Sequence, residues 1–237
     1  MRRSLLTEIL EARTAGRAMA VITQLQPLEH ALYFADDTPT ANKLAAQYQS
    51  EAEQALRSDR NVLIESDQGN VFIQAYNPPL RVIIVGAVHI AQFTAPIATQ
   101  LNYEVTVVDA RRAFANAQRF PNVHVVNEWP DRALPKLKLD HRTAVVALTH
   151  DPKLDDPALT GALRSNAFYI GALGSRKTHA ARIERLRKHG FDDAELRRIR
   201  GPIGLDIGAA SPGEIAVSIM AEITRTLRRP KLREPSA

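Results

Sequence analysis

From Arg81 onward, short runs of apolar, β-branched residues alternate with segments of helical period, and that alternation leaves few folds open. The runs are RVIIVG (81–86), EVTVVD (104–109), VHVV (123–126), TAVVAL (143–148) and AFYIG (167–171). Helical periodicity covers 88–101, a short stretch near 112–118, then 155–165, 176–189, 193–199 and 212–228. Strands that are apolar throughout must be covered on both faces, and amphipathic crossover helices are what cover them. The predicted fold is α/β, a Rossmann-like doubly wound parallel sheet.

The first 80 residues follow another pattern. A helix is expected over 3–15, strands at AVITQL (20–25) and HALYFA (30–35), and a helix over 39–57. NVLIES and NVFIQAY flank the turn-forming Asp67-Gln68-Gly69, which predicts a hairpin. Asn77-Pro78-Pro79 then resists both helix and central strand. The expected organisation is a small α/β N-terminal domain over 1–78, the Rossmann-like domain over 79–228 and a flexible tail over 229–237.

A chain of 237 residues with 45% hydrophobic side chains can fill such cores. No apolar run approaches the roughly 20 residues that cross a bilayer, and MRRSLLTEILEARTAG has acidic residues and helical period where a signal peptide has an apolar stretch. A cytoplasmic protein without membrane contact is therefore expected. The absence of cysteine removes disulfides, thiolate metal sites and cysteine nucleophiles. The formal charge of +5 is concentrated in RKTHAARIERLRKHG (176–190) and the tail, without interleaved aromatics. Solvated helix faces explain it better than nucleic acid.

Three turns carry the candidate site. Gly86-Ala87-Val88-His89-Ile90-Ala91 keeps the first glycine and the small last residue of a dinucleotide-binding turn, with Asp109 placed 23 residues after Gly86 where a ribose-binding carboxylate belongs. Val88 stands where the second glycine would admit a pyrophosphate, and His89 is expected in the first helical turn, facing the crevice. The second turn runs from Gly171 through Gly174, Ser175, Arg176 and Lys177. Cations at a helix start oppose the macrodipole unless an anion joins them, so a phosphate cradle competes here with solvated cations on a glycine turn. The third, Gly201 to Glu214, ends in a helix start (Ser211 cap, Pro212, Glu214). It is preceded by a glycine-rich loop in which Asp206 is placed to meet a heterocycle or solvent. Thr149-His150-Asp151 ends a strand at the same edge, making His150 a candidate, while no H-E-x-x-H, G-x-S-x-G or Walker A motif and no metal-ligand spacing occurs.

Taken together, IVGAVHIAQ, ALTHDPKLDDPAL, FYIGALGSRKTHAARIERL and GPIGLDIGAASPGEIAVSIMAEI resemble the XdhC/CoxI family, accessory factors of xanthine and carbon monoxide dehydrogenases, over about 81–225. The resemblance implies a chaperone that binds the molybdenum cofactor, as molybdopterin or molybdopterin cytosine dinucleotide, assists its maturation or sulfuration, and delivers it to a molybdenum hydroxylase apoenzyme. It also implies a homodimer and contact with a cysteine desulfurase. Gly86, His89, Gly174, Ser175, Arg176 and Asp206 take cofactor-binding roles on this reading. Two departures stand out: the family usually reads G-A-G-H where this chain has Gly86-Ala87-Val88-His89, and the cysteine that members carry in a glycine-rich N-terminal motif has no counterpart. The residues alone also admit an NAD(P)-binding oxidoreductase using Gly86, Asp109 and His150, and the two departures admit a degenerate family member acting only as a protein adaptor. The missing acid-base machinery favours a non-catalytic maturation factor, with the ligand centred on Gly171 to Lys177.

Overall fold

The structure, a computed structural model, describes residues 3–36, 42–65 and 69–229. Two compact units divide the chain, Met1–Pro78 and Pro79–Ala237.

In the first unit, α1 (Arg3–Thr14) precedes β1 (Met19–Leu25) and β2 (Leu28–Phe34), then α2 (Lys43–Gln47), α3 (Gln49–Ser58), β3 (Val62–Ile64) and β4 (Val71–Tyr76). The strands form an antiparallel sheet in the order β2-β1-β4-β3. Period-2 alternation splits the apolar start of β1 between two cores: Ala20 and Ile22 pack with residues of α2 and α3, whereas Met19 and Val21 pack with Ile9 and Ala12 of α1. The β3–β4 hairpin forms as expected, with Val62 opposite Ile73, while Asp67 and Gln68 lie outside the described residues. Of the helix expected over 39–57, residues 39–41 also lie outside them, and the rest is two helices. Tyr48, at φ −111° and ψ 26°, leaves helical geometry between α2 and α3.

The second unit contains β5 (Leu80–Val85), α4 (His89–Gln100), β6 (Tyr103–Val108), β7 (His124–Val126), α5 (Pro130–Leu137), β8 (Thr143–Ala147) and α6 (Pro152–Leu163). It continues with β9 (Tyr169–Ala172), α7 (Arg176–Lys188), α8 (Asp193–Leu196), β10 (Ile199–Arg200) and α9 (Pro212–Arg228). Its six strands are all parallel in the order β10-β9-β8-β5-β6-β7, a Rossmann-like sheet whose chain reverses direction between β5 and β8. Successive residues of β5 explain the two covered faces. Val82 and Ile84 join the core under α4 and α9, and Ile83 and Val85 join the core under α5 and α6. Each such side chain, removed from water, stabilises the fold by roughly 1.5–3 kcal/mol.

Four local expectations are corrected. Residues 112–118 form turns in place of a helix, because side chains take over the main-chain polar groups: Arg119 Nη1 donates to the carbonyl of Phe114 and Asn116 Oδ1 accepts from the N–H of Arg119. The helix expected from 155 begins at Pro152, capped by Asp151, whose carboxylate accepts from the N–H of Lys153. The helix expected over 193–199 stops at Leu196, and Ile199–Arg200 instead adds a sixth strand beside β9. α5 was not expected at all. Of the tail expected over 229–237, residues 230–237 lie outside the described residues.

Candidate functional site

Because all six strands run the same way, their C-terminal turns share one edge, where ligands of open α/β sheets bind. In register, Val85 pairs with Val108 and Ala147, and Ala147 with Ala172. This puts Asp109, Gly86, Thr149 and Leu173-Gly174 side by side.

The Gly86 turn is clamped from within. Gly86 has φ +107°, and a Cβ there would press into the methyl group of Thr149. Asp109 is completely buried and accepts four hydrogen bonds. Oδ2 takes the N–H of Ala87 (2.8 Å) and Nη2 of Arg111 (2.7 Å), and Oδ1 takes the N–H and Nε–H of Arg111 (both 2.9 Å). Burial pulls the Asp109 pKa up, but the Arg111 side chain and the two backbone donors outweigh it and hold the carboxyl below its ordinary range. Arg119 completes the clamp, donating to the carbonyl of Ala87 (2.9 Å). Val88 caps α4 without a side-chain hydrogen bond and packs part-buried on the core.

The β8 and β9 turns are tied together by a buried ion pair that the sequence did not announce. Asp155, in the first turn of α6, accepts from Thr149 Oγ1 (2.6 Å) and from the N–H of His150 (3.1 Å). Arg182 of α7 donates to Asp155 (3.4 Å) and to the carbonyl of Leu173 (2.8 Å). Both side chains are buried, and Nε and Nη1 of Arg182 have no hydrogen-bond partner among the described residues. Nearby, Asp156 takes a two-bond grip from Arg185.

Beyond β9, an open groove of about 1680 Å³ runs along the free edge of the sheet between α7, β10, the Gly201–Gly208 loop and α9. Arg176, His179 and Ile183, three or four residues apart, present one face of α7 to it. His179 sits against Gly201, where any Cβ would enter its ring. Its Nδ1 is covered and unpartnered among the described residues, and burial, then the nearby Arg182 cation, hold the imidazole pKa below its ordinary value. On the inner wall, Glu222 of α9 accepts from Tyr169 Oη (2.6 Å) and from the N–H of Gly204 (2.9 Å), anchoring the glycine loop to the sheet. Burial, then the charge of Glu222, raise the Tyr169 pKa well above its usual value and keep that hydroxyl a donor. The loop ends in the expected cap: Ser211 Oγ accepts from the N–H of Glu214, whose carboxylate accepts from the N–H of Ser211.

A family model described as the XdhC Rossmann domain matches residues 82–223. The chain belongs to the XdhC family. It is 32% identical over 154 residues to the molybdenum cofactor insertion chaperone PaoD of Escherichia coli (strain K12), covering 65% of this chain and 42% of that protein. To a probable xanthine dehydrogenase subunit of Bacillus subtilis (strain 168) it is 33% identical over 161 residues, covering 68% of this chain and 47% of that one. The chain thus spans less than half the length of these relatives. A crystal structure called a xanthine dehydrogenase, from Bacillus halodurans, superposes with TM-score 0.76 over 97% of this chain and 68% of that one at 22% identity, a likeness of fold.

Within this XdhC domain, the expected site residues do not form one cluster. Gly86, His89, Asp109 and His150 gather around the turns that end β5, β6 and β8. There His89 is exposed and tilted against Phe93 (ring centroids 5.3 Å apart), and His150 is an exposed loop residue at φ +65°. Asp109 has no lone pair left for a ribose, since four donors fill its acceptor capacity. Gly171 is not part of a cradle: it lies inside β9, where a Cβ would collide with Ile203 and Tyr169. Gly174, at φ +142°, leads into Ser175, which caps α7 by accepting from the N–H of Thr178 (3.2 Å). Ser175, Arg176 and Lys177 are exposed, and neither cation has a hydrogen-bond or ion-pair partner among the described residues. Only Arg176 and Asp206 of the expected set line the groove. Sequence reasoning missed Arg182 and Asp155, which looked like an ordinary helix cation and an ordinary carboxylate at a helix start, and also missed His179 and Arg200.

Proposed function

We propose that this protein is an accessory chaperone that binds the molybdenum cofactor, as molybdopterin or its cytosine dinucleotide, and assists its maturation and insertion into a xanthine dehydrogenase-like hydroxylase. The observation that carries the reading is the XdhC Rossmann domain over residues 82–223. The names of the E. coli and B. subtilis relatives support it. The donor set fits a phosphorylated heterocycle: exposed, unpaired Arg176 and Lys177 at the start of α7, and a side-chain-poor glycine loop opposite Arg176 across the groove. When bound, the cofactor supplies the molybdenum redox chemistry of its client, and this chain's residues bind, orient and shield it. With no cysteine in its 237 residues, the chain offers no thiolate to carry sulfur, so any sulfuration transfers sulfur from a desulfurase without a thiol relay here. A homodimer and transient binding complete the proposal.

The NAD(P) alternative loses support from the filled carboxylate of Asp109. The test is co-expression with cofactor-synthesis genes, followed by molybdenum analysis and oxidised-pterin fluorescence of the purified protein. One cofactor equivalent per dimer or per chain is expected, and clean apoprotein under saturating supply would refute the reading.

A further inference from the structure

We propose that the groove along the free edge of the sheet is a diphosphate-binding site, with Arg176 and Arg200 as the anion's main partners, Arg197 beside them, and the Gly201–Gly208 loop as the wall for the rest of the ester. Six arginines line the groove against three carboxylates. Half of these arginines are already committed. Arg187 pairs with Glu184 and Asp193, and Arg225 with Glu222, while Arg198 donates to the carbonyls of Leu163, Ser165 and Ala167. Arg176, Arg197 and Arg200 have no hydrogen bond or ion pair among the described residues; the charge of Arg197 acts on Asp193, which Arg187 already holds, and that of Arg200 acts on Tyr169, whose hydroxyl is held by Glu222. Three guanidinium groups without partners among the described residues line one concavity, and an anion with several acceptor oxygens would satisfy their donors through charge-assisted bonds.

Size and shape narrow the ligand class. At about 1680 Å³ the groove exceeds the roughly 300–1,000 Å³ that holds a drug-sized molecule, leaving room for an organic group on each side of a diphosphate. The loop wall is packed tightly: a Cβ at Gly201 would strike His179 and one at Gly204 would strike Ser218, and the N–H groups of Ile203, Gly204 and Leu205 are held by Ala172, Glu222 and Ser218, so the wall is rigid and the arginines are the groove's donors. With Nδ1 of His179 covered, Nε2 is the ring's polar outlet toward the groove. The Gly86 turn also has its Ala87 N–H spent, on Asp109, and the two arginines that clamp it already have partners: Arg111 is held by Asp109, and Arg119 by the carbonyls of Ala87 and Phe114 and by Gln92. The identity of the organic groups rests on the cofactor reading above, but the anion site does not.

The test is isothermal titration of the full chain at low salt with pyrophosphate, cytidine 5′-diphosphate and inorganic phosphate. Pyrophosphate and the nucleotide are expected to bind, and R197Q/R200Q to weaken both at least tenfold with an unchanged melting temperature. K188Q, on α7 but outside the groove, is expected to bind as the parent does. Should R197Q/R200Q fold poorly, R176Q alone is expected to weaken binding in the same direction. Parental affinity in these groove variants, no heat at millimolar pyrophosphate, or phosphate bound as tightly as pyrophosphate each overturns the assignment. If the protein retains pterin while R197Q/R200Q binds pyrophosphate as the parent does, the site is wrong and the function stands. If the groove binds pyrophosphate but no pterin is ever retained, the function is wrong and the site stands.

Discussion

Replacing Asp109 by Asn separates a structural clamp from a ligand-binding carboxylate. The amide must put its NH2 at one oxygen or the other. At Oδ1 it faces the N–H and Nε–H of Arg111, and at Oδ2 it faces the N–H of Ala87 and Nη2 of Arg111. Either way two donors meet a donor in a fully buried position. Each lost bond at a buried group costs roughly 1–3 kcal/mol, and the Arg111 contribution is discounted because that side chain is 40% exposed. The sum is about 2–4 kcal/mol, which for a chain of this size lowers the melting temperature by about 4–16 °C. Urea denaturation at neutral pH measures it directly. The pH dependence has a defined sign: the folded carboxyl titrates below the unfolded value of about 3.9. Its stabilisation is therefore present above that pH and disappears as pH falls through the folded pKa, so parent and variant converge in acid. D109N as stable as the parent at pH 7, with altered NAD(P) or cofactor binding instead, would refute the clamp and restore the ribose role.

Three further perturbations follow from the same geometry. D155N strands the guanidinium of buried Arg182 and is expected to cost about 3–5 kcal/mol, while the double change D155L/R182M recovers part of that loss, both read from denaturation midpoints. G201A drives a methyl group into the His179 ring, so NMR titration should show the His179 pKa rising toward its ordinary value as the ring is expelled into water. An unchanged titration would contradict that packing. Y169F deletes the buried hydroxyl donated to Glu222 and is expected to cost roughly 1–3 kcal/mol and to increase hydrogen exchange at Gly204, whose N–H shares that carboxylate.

The parallel sheet was legible because its signal is local: each of RVIIVG, EVTVVD and TAVVAL is apolar on both faces, and only a covered sheet uses such strands. The caps at Ser175 and Ser211 were legible for the same reason, since a cap needs only its next three residues. α5 escaped because Pro130 and Pro135 interrupt a short helical period, although Pro130 stands at the first helical position, where its missing N–H costs nothing. β10 escaped because two residues carry no periodicity and become a strand only beside β9. In the candidate site, glycines and the cations at the start of α7 could be read from spacing. The Asp155–Arg182 pair, 27 residues apart, and the seating of His179 on Gly201 arise only when the helices pack. Asp109 shows the converse: its position matches a ribose carboxylate, but Arg111, two residues on, consumes it.

The brevity of the terminal strand has a consequence of its own. A long bare ladder invites another polypeptide to zip onto it, whereas Ile199–Arg200 exposes too few amides to template an extra strand. The margin of this sheet is thereby closed to intruding backbones while its arginines remain reachable by small solutes.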